Sequence, residues 1–188
     1  PADIPNVKNK LDFWRKLAAE SGFEGIHIIG INMNDFESGI KLGLDAVILS
    51  RLGIVNYNQK IKNEFTRIVW GMSKRVSIGG PRVIDYSQAI KYLIPDLNTY
   101  DVPAYPCVFP NWDNTPRKGK RGFVLQGSTP TLFKNHLSDA VKKLKDNGDE
   151  EGFIFIKSWN EWAEGNYLEP DLKWGKQYLD ILRSVIFE

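Results

Sequence analysis

The sequence predicts an α/β fold built from parallel strand–helix units, and three observations carry that expectation. Short runs that are apolar almost throughout and rich in Ile, Val and Phe recur at 25–31, 46–49, 105–109 and 152–156, as strands buried on both faces do. Segments with apolar residues at helical spacing separate them, and strict alternation of this kind implies a parallel sheet. Long polar loops follow the third and fourth runs, the end of a strand where such folds keep their sites.

Each element has its own signal. Val7, Leu11, Trp14, Leu17 and Ala18 make a helical stripe, and Gly22 stands where a C-cap glycine ends it. Gly25 to Ile31 is the first strand; His27 within it reads as a satisfied core histidine. Asn32, Met33 and Asn34 open a loop before a short helix around Phe36 to Leu42, closed by Gly43. Ala46 to Leu49 is the second strand, and Ser50-Arg51 begin its outgoing loop. The alternation then breaks between Arg51 and Arg82. Ile61, Phe65, Ile68, Val69 and Met72 fit a helix there, so 51–82 is expected to be a peripheral insertion.

Tyr86 to Ile94 reads as a helix stopped by Pro95, and Tyr105 to Phe109 as the third strand in spite of Pro106. Ser128-Thr129-Pro130 supplies an N-cap and a first-turn proline for a helix whose stripe is Leu132, Phe133, Leu137, Val141 and Leu144, ended by Gly148. His136 falls on the solvent side of that stripe. A last amphipathic helix runs through Trp174, Tyr178, Ile181, Leu182, Val185 and Ile186. Four such units form either an open doubly wound sheet or half of an eight-stranded barrel, and periodicity does not choose.

Composition narrows the function. A chain of 188 residues with 42% hydrophobic residues can bury the core of a single domain. A formal net charge of +2 is too small a bias to make nucleic acid the main partner. No stretch is long and apolar enough to span a membrane. The start, Pro1-Ala2-Asp3-Ile4-Pro5, is unlike a signal peptide, and the missing initiator Met points to a piece of a longer polypeptide. Cys107, the single cysteine, reads as a small buried hydrophobe in a reducing, cytoplasmic compartment, with a catalytic thiol as the alternative.

The chemistry is concentrated in Ser158-Trp159-Asn160-Glu161-Trp162-Ala163-Glu164-Gly165-Asn166-Tyr167-Leu168-Glu169-Pro170. Carboxylates interleaved with Trp suit sugars, because carboxylates serve as general acid and base while indoles stack on a pyranose face. The competing view makes the aromatics core and the glutamates solvated or capping. In a helical turn, residues three apart share one side, with Cβ atoms about 5 to 6 Å apart. Carboxyls about 5 to 5.5 Å apart suit retention, and about 6.5 to 9.5 Å leaves room for an inverting water. Trp159 and Trp162 offer the apolar surroundings that would make Glu164 an acid.

The loop after the third strand adds Trp112 as a sugar platform or half-buried ring, and Asp113 as a hydroxyl ligand or cap. Arg117, Lys118, Lys120 and Arg121 form a basic cluster suited to phosphates or merely solvated. The sequence has no Asp-x-Asp, Walker loop or Gly-x-Gly-x-x-Gly fingerprint, so no metal or other cofactor is expected.

Pro110 to Gly122, Gly127 to Pro130 and Trp159 to Asp171 together resemble the signature loops of the WbsX-like glycosyltransferases of bacterial capsule and lipopolysaccharide gene clusters. That family is similar to the family 99 glycoside hydrolases, endo-alpha-mannosidases with (β/α)8 barrels. The resemblance implies the C-terminal half of such a barrel, a glycan or activated-sugar substrate, and a catalytic pair at Glu161 and Glu164. Glu161 then deprotonates the substrate's 2-hydroxyl and Glu164 protonates the leaving oxygen. Trp112, Asp113, Arg117, Trp159, Asn160, Trp162, Asn166, Tyr167 and Glu169 are the expected substrate contacts. Ala163 stands where the hydrolases carry His. Transfer, retaining hydrolysis and glycan binding without catalysis all remain open at this level, and a half-barrel's free sheet edges are expected to self-associate.

Overall fold

The structure is a computed structural model and describes residues 4–31, 38–49, 52, 80–148 and 152–187. The loop openings at Asn32 to Asn34 and Ser50-Arg51, the expected helix start at Phe36 and the stripe from Ile61 to Met72 lie outside the described residues.

The four expected strands form one parallel sheet. β1 (Ile29–Ile31), β2 (Ala46–Leu49), β4 (Ala104–Val108) and β7 (Phe155–Ile156) lie side by side in that order. Gly30 pairs with Val47, Ile48 with Tyr105 and Val108 with Ile156, all parallel. Strand order that follows chain order, with no reversal, is that of a barrel wall rather than of a doubly wound sheet around its switch point. Pro106 is accommodated because the ladder to β7 covers only Cys107 and Val108.

Helix α1 (Val7–Glu20) precedes the sheet, with Gly22 beyond it at φ +85, where a Cβ would be strained. The short α2 (Gly39–Leu42) is capped by Ser38 and closed by Gly43. α3 (Tyr86–Leu93) follows β3 (Arg82–Asp85) and is capped by Asp85. α5 (Pro130–Asp146) begins with Thr129, whose hydroxyl accepts from Leu132 N at 3.2 Å, and Pro130 stands in its first turn. It packs on α6 (Gln177–Phe187). Alternate residues of β2 enter different clusters: Val47 and Leu49 join Phe133, Leu137, Ala140 and Tyr178, whereas Ile48 joins Tyr86, Leu93, Phe109 and Trp112. Fully burying Phe133 or Leu137 stabilises by about 1.5–3 kcal/mol each.

Two histidine expectations are corrected. His27 is exposed, because β1 begins only at Ile29. His136 is 1% exposed rather than on the solvent side, since one turn after Phe133 it stays inside the stripe that ends in Ala140 and Leu144. A second sheet also appears that periodicity did not indicate. β3 pairs parallel with β6 (Phe123–Gln126), and β5 (Trp112–Asp113) pairs antiparallel with β6. Arg82 thus starts a strand, and Phe123 to Gln126 leave the third-strand loop for a ladder.

Candidate active site

The loops leaving β4 and β7 interlock. Lys157 N donates to Val108 O at 3.0 Å, and Asn111 Oδ1 accepts from Tyr167 N at 2.9 Å. The glutamate loop is a hairpin of β8 (Asn160–Glu161) and β9 (Asn166–Tyr167), joined by a 3-10 turn over Trp162–Glu164. Ser158 Oγ donates to Asn166 O at 2.7 Å and accepts from Glu161 N at 3.1 Å, which ties the two arms together. Side chains three residues apart eclipse in a 3-10 turn. Glu161 stands at the N-cap of this turn and Glu164 at its last position, so the expected single turn is present.

Gly165 ends that turn at φ +50. A Cβ there would lie 3.0 Å from Asp113 Cβ and 3.1 Å from Asp113 N. The glycine therefore permits both the left-handed turn and the close approach of the two loops. Replacing Gly165 with Ala is expected to lower stability by at least about 1–2 kcal/mol from the left-handed conformation alone. Urea denaturation of the variant reads the loss, and unchanged stability contradicts the packing.

The aromatics divide. Trp159 and Trp162 are 53% and 48% exposed, so neither encloses Glu164 in apolar surroundings. Trp162 stacks on Tyr167 with centroids 3.7 Å apart and planes 13° apart, and its Nε1 donates to Glu169 Oε2 at 2.5 Å. Tyr167 OH donates to Asp171 Oδ2 at 3.2 Å, and burial first, then Asp171, raises its pKa. One indole face is thereby backed and fixed in orientation. Trp112 is 9% exposed, with Phe109 edge-on to it and Lys157 Nζ 5.0 Å from its ring centroid, which leaves little platform open.

Asp113 spends its Oδ1 on Thr115 N at 2.8 Å and Thr115 Oγ1 at 2.6 Å, opening α4 (Thr115–Lys118). Arg117, on that helix, donates from Nη1 to Glu164 Oε1 at 2.8 Å. Lys118, Lys120 and Arg121 are exposed. Asn160 is exposed and pairs with Tyr167, whereas Asn166 is fully buried, its amide unpartnered among the described residues. Burial pushes the Cys107 thiol up to about 11, so it is no nucleophile at neutral pH. Among the described residues no group of three His, Cys, Asp or Glu is placed to hold a metal. A hollow of about 430 Å³ between α5 and α6, with Lys134, Ser138, Asp146 and Ser184 in its wall, is lined by none of the expected site residues.

Sequence reasoning missed the bracing by Asn111, Ser158 and Gly165. The glycine directly after Glu164 was the one available signal, since a turn glycine marks either a positive φ or a close approach.

The chain thus presents a parallel β/α sheet with two glutamates and two exposed indoles on the hairpin beyond β7. The chain belongs to the family described as glycosyltransferase WbsX, whose model matches residues 1–182. It is 37% identical over 192 residues to the uncharacterized protein WxcX of Xanthomonas campestris pv. campestris, covering 99% of this chain and 26% of that protein. A WxcX from strain B100 of the same pathovar is 37% identical over 87 residues, which is 46% of this chain and 12% of that protein. The chain thus spans about a quarter of the length of the first relative. Among solved structures, a glycoside hydrolase-like protein superposes with a TM-score of 0.54 at 13% identity, over 96% of this chain and 50% of that one. That likeness concerns the fold, and with the strand order it makes the sheet a half-barrel.

Proposed function

We propose that this domain carries the catalytic glutamates of a glycosyl-transferring enzyme of bacterial surface-polysaccharide biosynthesis. The observation that supports it best is Glu161 and Glu164 on one short turn beyond β7, beside a braced and half-open indole. Glu161 takes a proton from a sugar hydroxyl, and Glu164 gives one to the departing glycosidic oxygen. Trp162 supplies a stacking face. Glu164 Oε1 already accepts from Arg117, so Oε2 is the oxygen free to deliver the proton. Retaining hydrolysis uses the same groups, with water rather than a sugar hydroxyl as the final acceptor. The exposure of Trp159 and Trp162 leaves room for either.

The test is incubation of the complete polypeptide with nucleotide sugars plus acceptor glycans, and separately with preformed glycans. Proton NMR of the anomeric signal reads product and stereochemistry. Transfer with retention is expected. Water-only turnover of preformed glycans replaces the transferase reading, and binding without turnover reduces the domain to a glycan-binding module.

The proposed compartment is the cytoplasm, which suits the free, buried Cys107. Among the described residues, no helix is long and apolar enough to cross a membrane. Self-association is proposed through the outer edges of β1 and β7, which no described strand covers. Ile31 on β1 is 56% exposed, as are Phe13 at 56% and Trp14 at 54% on α1. Light scattering of the 188-residue chain is expected to show a mass above 21.5 kDa; a monomer at high concentration overturns this.

A further inference from the structure

The basic residue of the third-strand loop reaches into the glutamate turn instead of standing free. Arg117 Nη1 lies 2.8 Å from Glu164 Oε1 across 47 residues of chain, with the carboxylate side chain 14% exposed and the arginine 54%. Both ends of this bridge are set by one residue. Asp113 Oδ1 takes the Thr115 N–H and hydroxyl, which starts the turn that carries Arg117. The Asp113 backbone is also the surface on which Gly165, next to Glu164, rests. Asn114 Oδ1 accepts from Phe123 N at 2.7 Å and closes the same loop. An exposed ion pair is worth only about 0–1 kcal/mol to folding, so so much bracing is out of proportion to stability.

We propose that Arg117 is a positioning residue for Glu164, holding Oε1 so that Oε2 is the oxygen presented to the glycosidic centre. The inference rests on the glutamate-pair reading above. An oxygen that accepts an N–H does not present a proton to substrate, so the guanidinium selects the reacting oxygen. As the glycosidic C–O bond breaks, its electron pair stays with the leaving oxygen and the proton passes to that oxygen from Glu164 Oε2. The carboxylate left behind is an anion beside a guanidinium, a charge-assisted contact that stabilises this end of the step. The other charged groups carried by the elements against Glu164 are Asp113 and Lys118, with Lys157, Glu161, Glu169 and Asp171 on its own loop.

The experiment compares Arg117→Gln and Arg117→Lys with Glu164→Gln in the complete polypeptide, on the donor that gives turnover in the panel above. Arg117→Gln is expected to lower kcat by roughly 10- to 10²-fold with little change in KM, as a misplaced reacting group does. Arg117→Lys recovers part of kcat, since it keeps the charge without the planar fork. A raised KM at unchanged kcat makes Arg117 a substrate contact and overturns the proposal, as does an Arg117→Lys variant no better than Arg117→Gln. Normal turnover by Glu164→Gln overturns the glutamate reading and this inference with it.

Discussion

Glu161→Gln and Glu164→Gln each lower turnover of the complete polypeptide by on the order of 10² or more, the usual contribution of a positioned proton-transfer group. Gln keeps the size and much of the hydrogen bonding of Glu but transfers no proton. The fold does not depend on either carboxylate. Glu161 is held through its backbone, by the Ser158 hydroxyl and by pairing with Asn166. In Glu164→Gln the amide oxygen can still accept from Arg117, so the change costs no more than the roughly 0–1 kcal/mol of an exposed pair. The two variants are expected to differ in leaving-group dependence. A good leaving group departs without protonation, so an activated glycosyl donor restores Glu164→Gln and leaves Glu161→Gln impaired. The double variant is expected to be little worse than the more damaged single, because the two groups act on one step. Unaltered kcat in either single variant, in a protein with unchanged thermal unfolding, removes that residue from the chemistry.

The lettering of the sequence carries the strands and helices more fully than the site. Ala46 to Leu49 and Tyr105 to Phe109 announce themselves because a strand buried on both faces has nothing polar to hide. Thr129, Pro130 and Gly148 mark the ends of α5 through local backbone chemistry alone. The small sheet is quieter, since Arg82–Asp85 and Phe123–Gln126 are four residues each and meet across some forty residues of chain. Their bounding glycines and β-branched centres were the available signal. Site roles are less legible because identical side chains serve opposite ends: Trp112 is covered while Trp162 is half open, and Asp113, for which the sequence leaves ligand and cap both open, accepts from Thr115 N. Arg117 reads as part of a solvated run until a partner 47 positions away is seen. Periodicity ranks a residue by polarity before angle, which is how His136 was assigned to water.

That histidine has a thermodynamic consequence. His136 is 1% exposed, meets Tyr86 edge-on with centroids 6.3 Å apart, and finds no hydrogen-bond partner for either ring nitrogen among the described residues. Burial, with Lys143 adding to it, pushes its pKa down from 6.5 to about 3. Tyr86, which faces it from α3, is itself pushed up by burial and gives its hydroxyl to Phe109 O at 2.6 Å, so it offers no counter-charge. The neutral ring is the folded form, and the unfolded chain takes up a proton that the folded chain refuses. Stability is therefore fully present above pH 6.5 and falls as the pH drops towards 3. At about 1.4 kcal/mol per pH unit, that interval amounts to on the order of 5 kcal/mol, a large share of a small domain's total. His136→Leu, close in volume and without a titrating group, is expected to hold its stability between pH 6.5 and 5, where carboxylates contribute little, while the parent declines. Urea unfolding at half-unit pH steps gives both curves. Parallel decline of the two would mean that His136 is protonated in the folded protein, and the buried neutral ring would then be wrong.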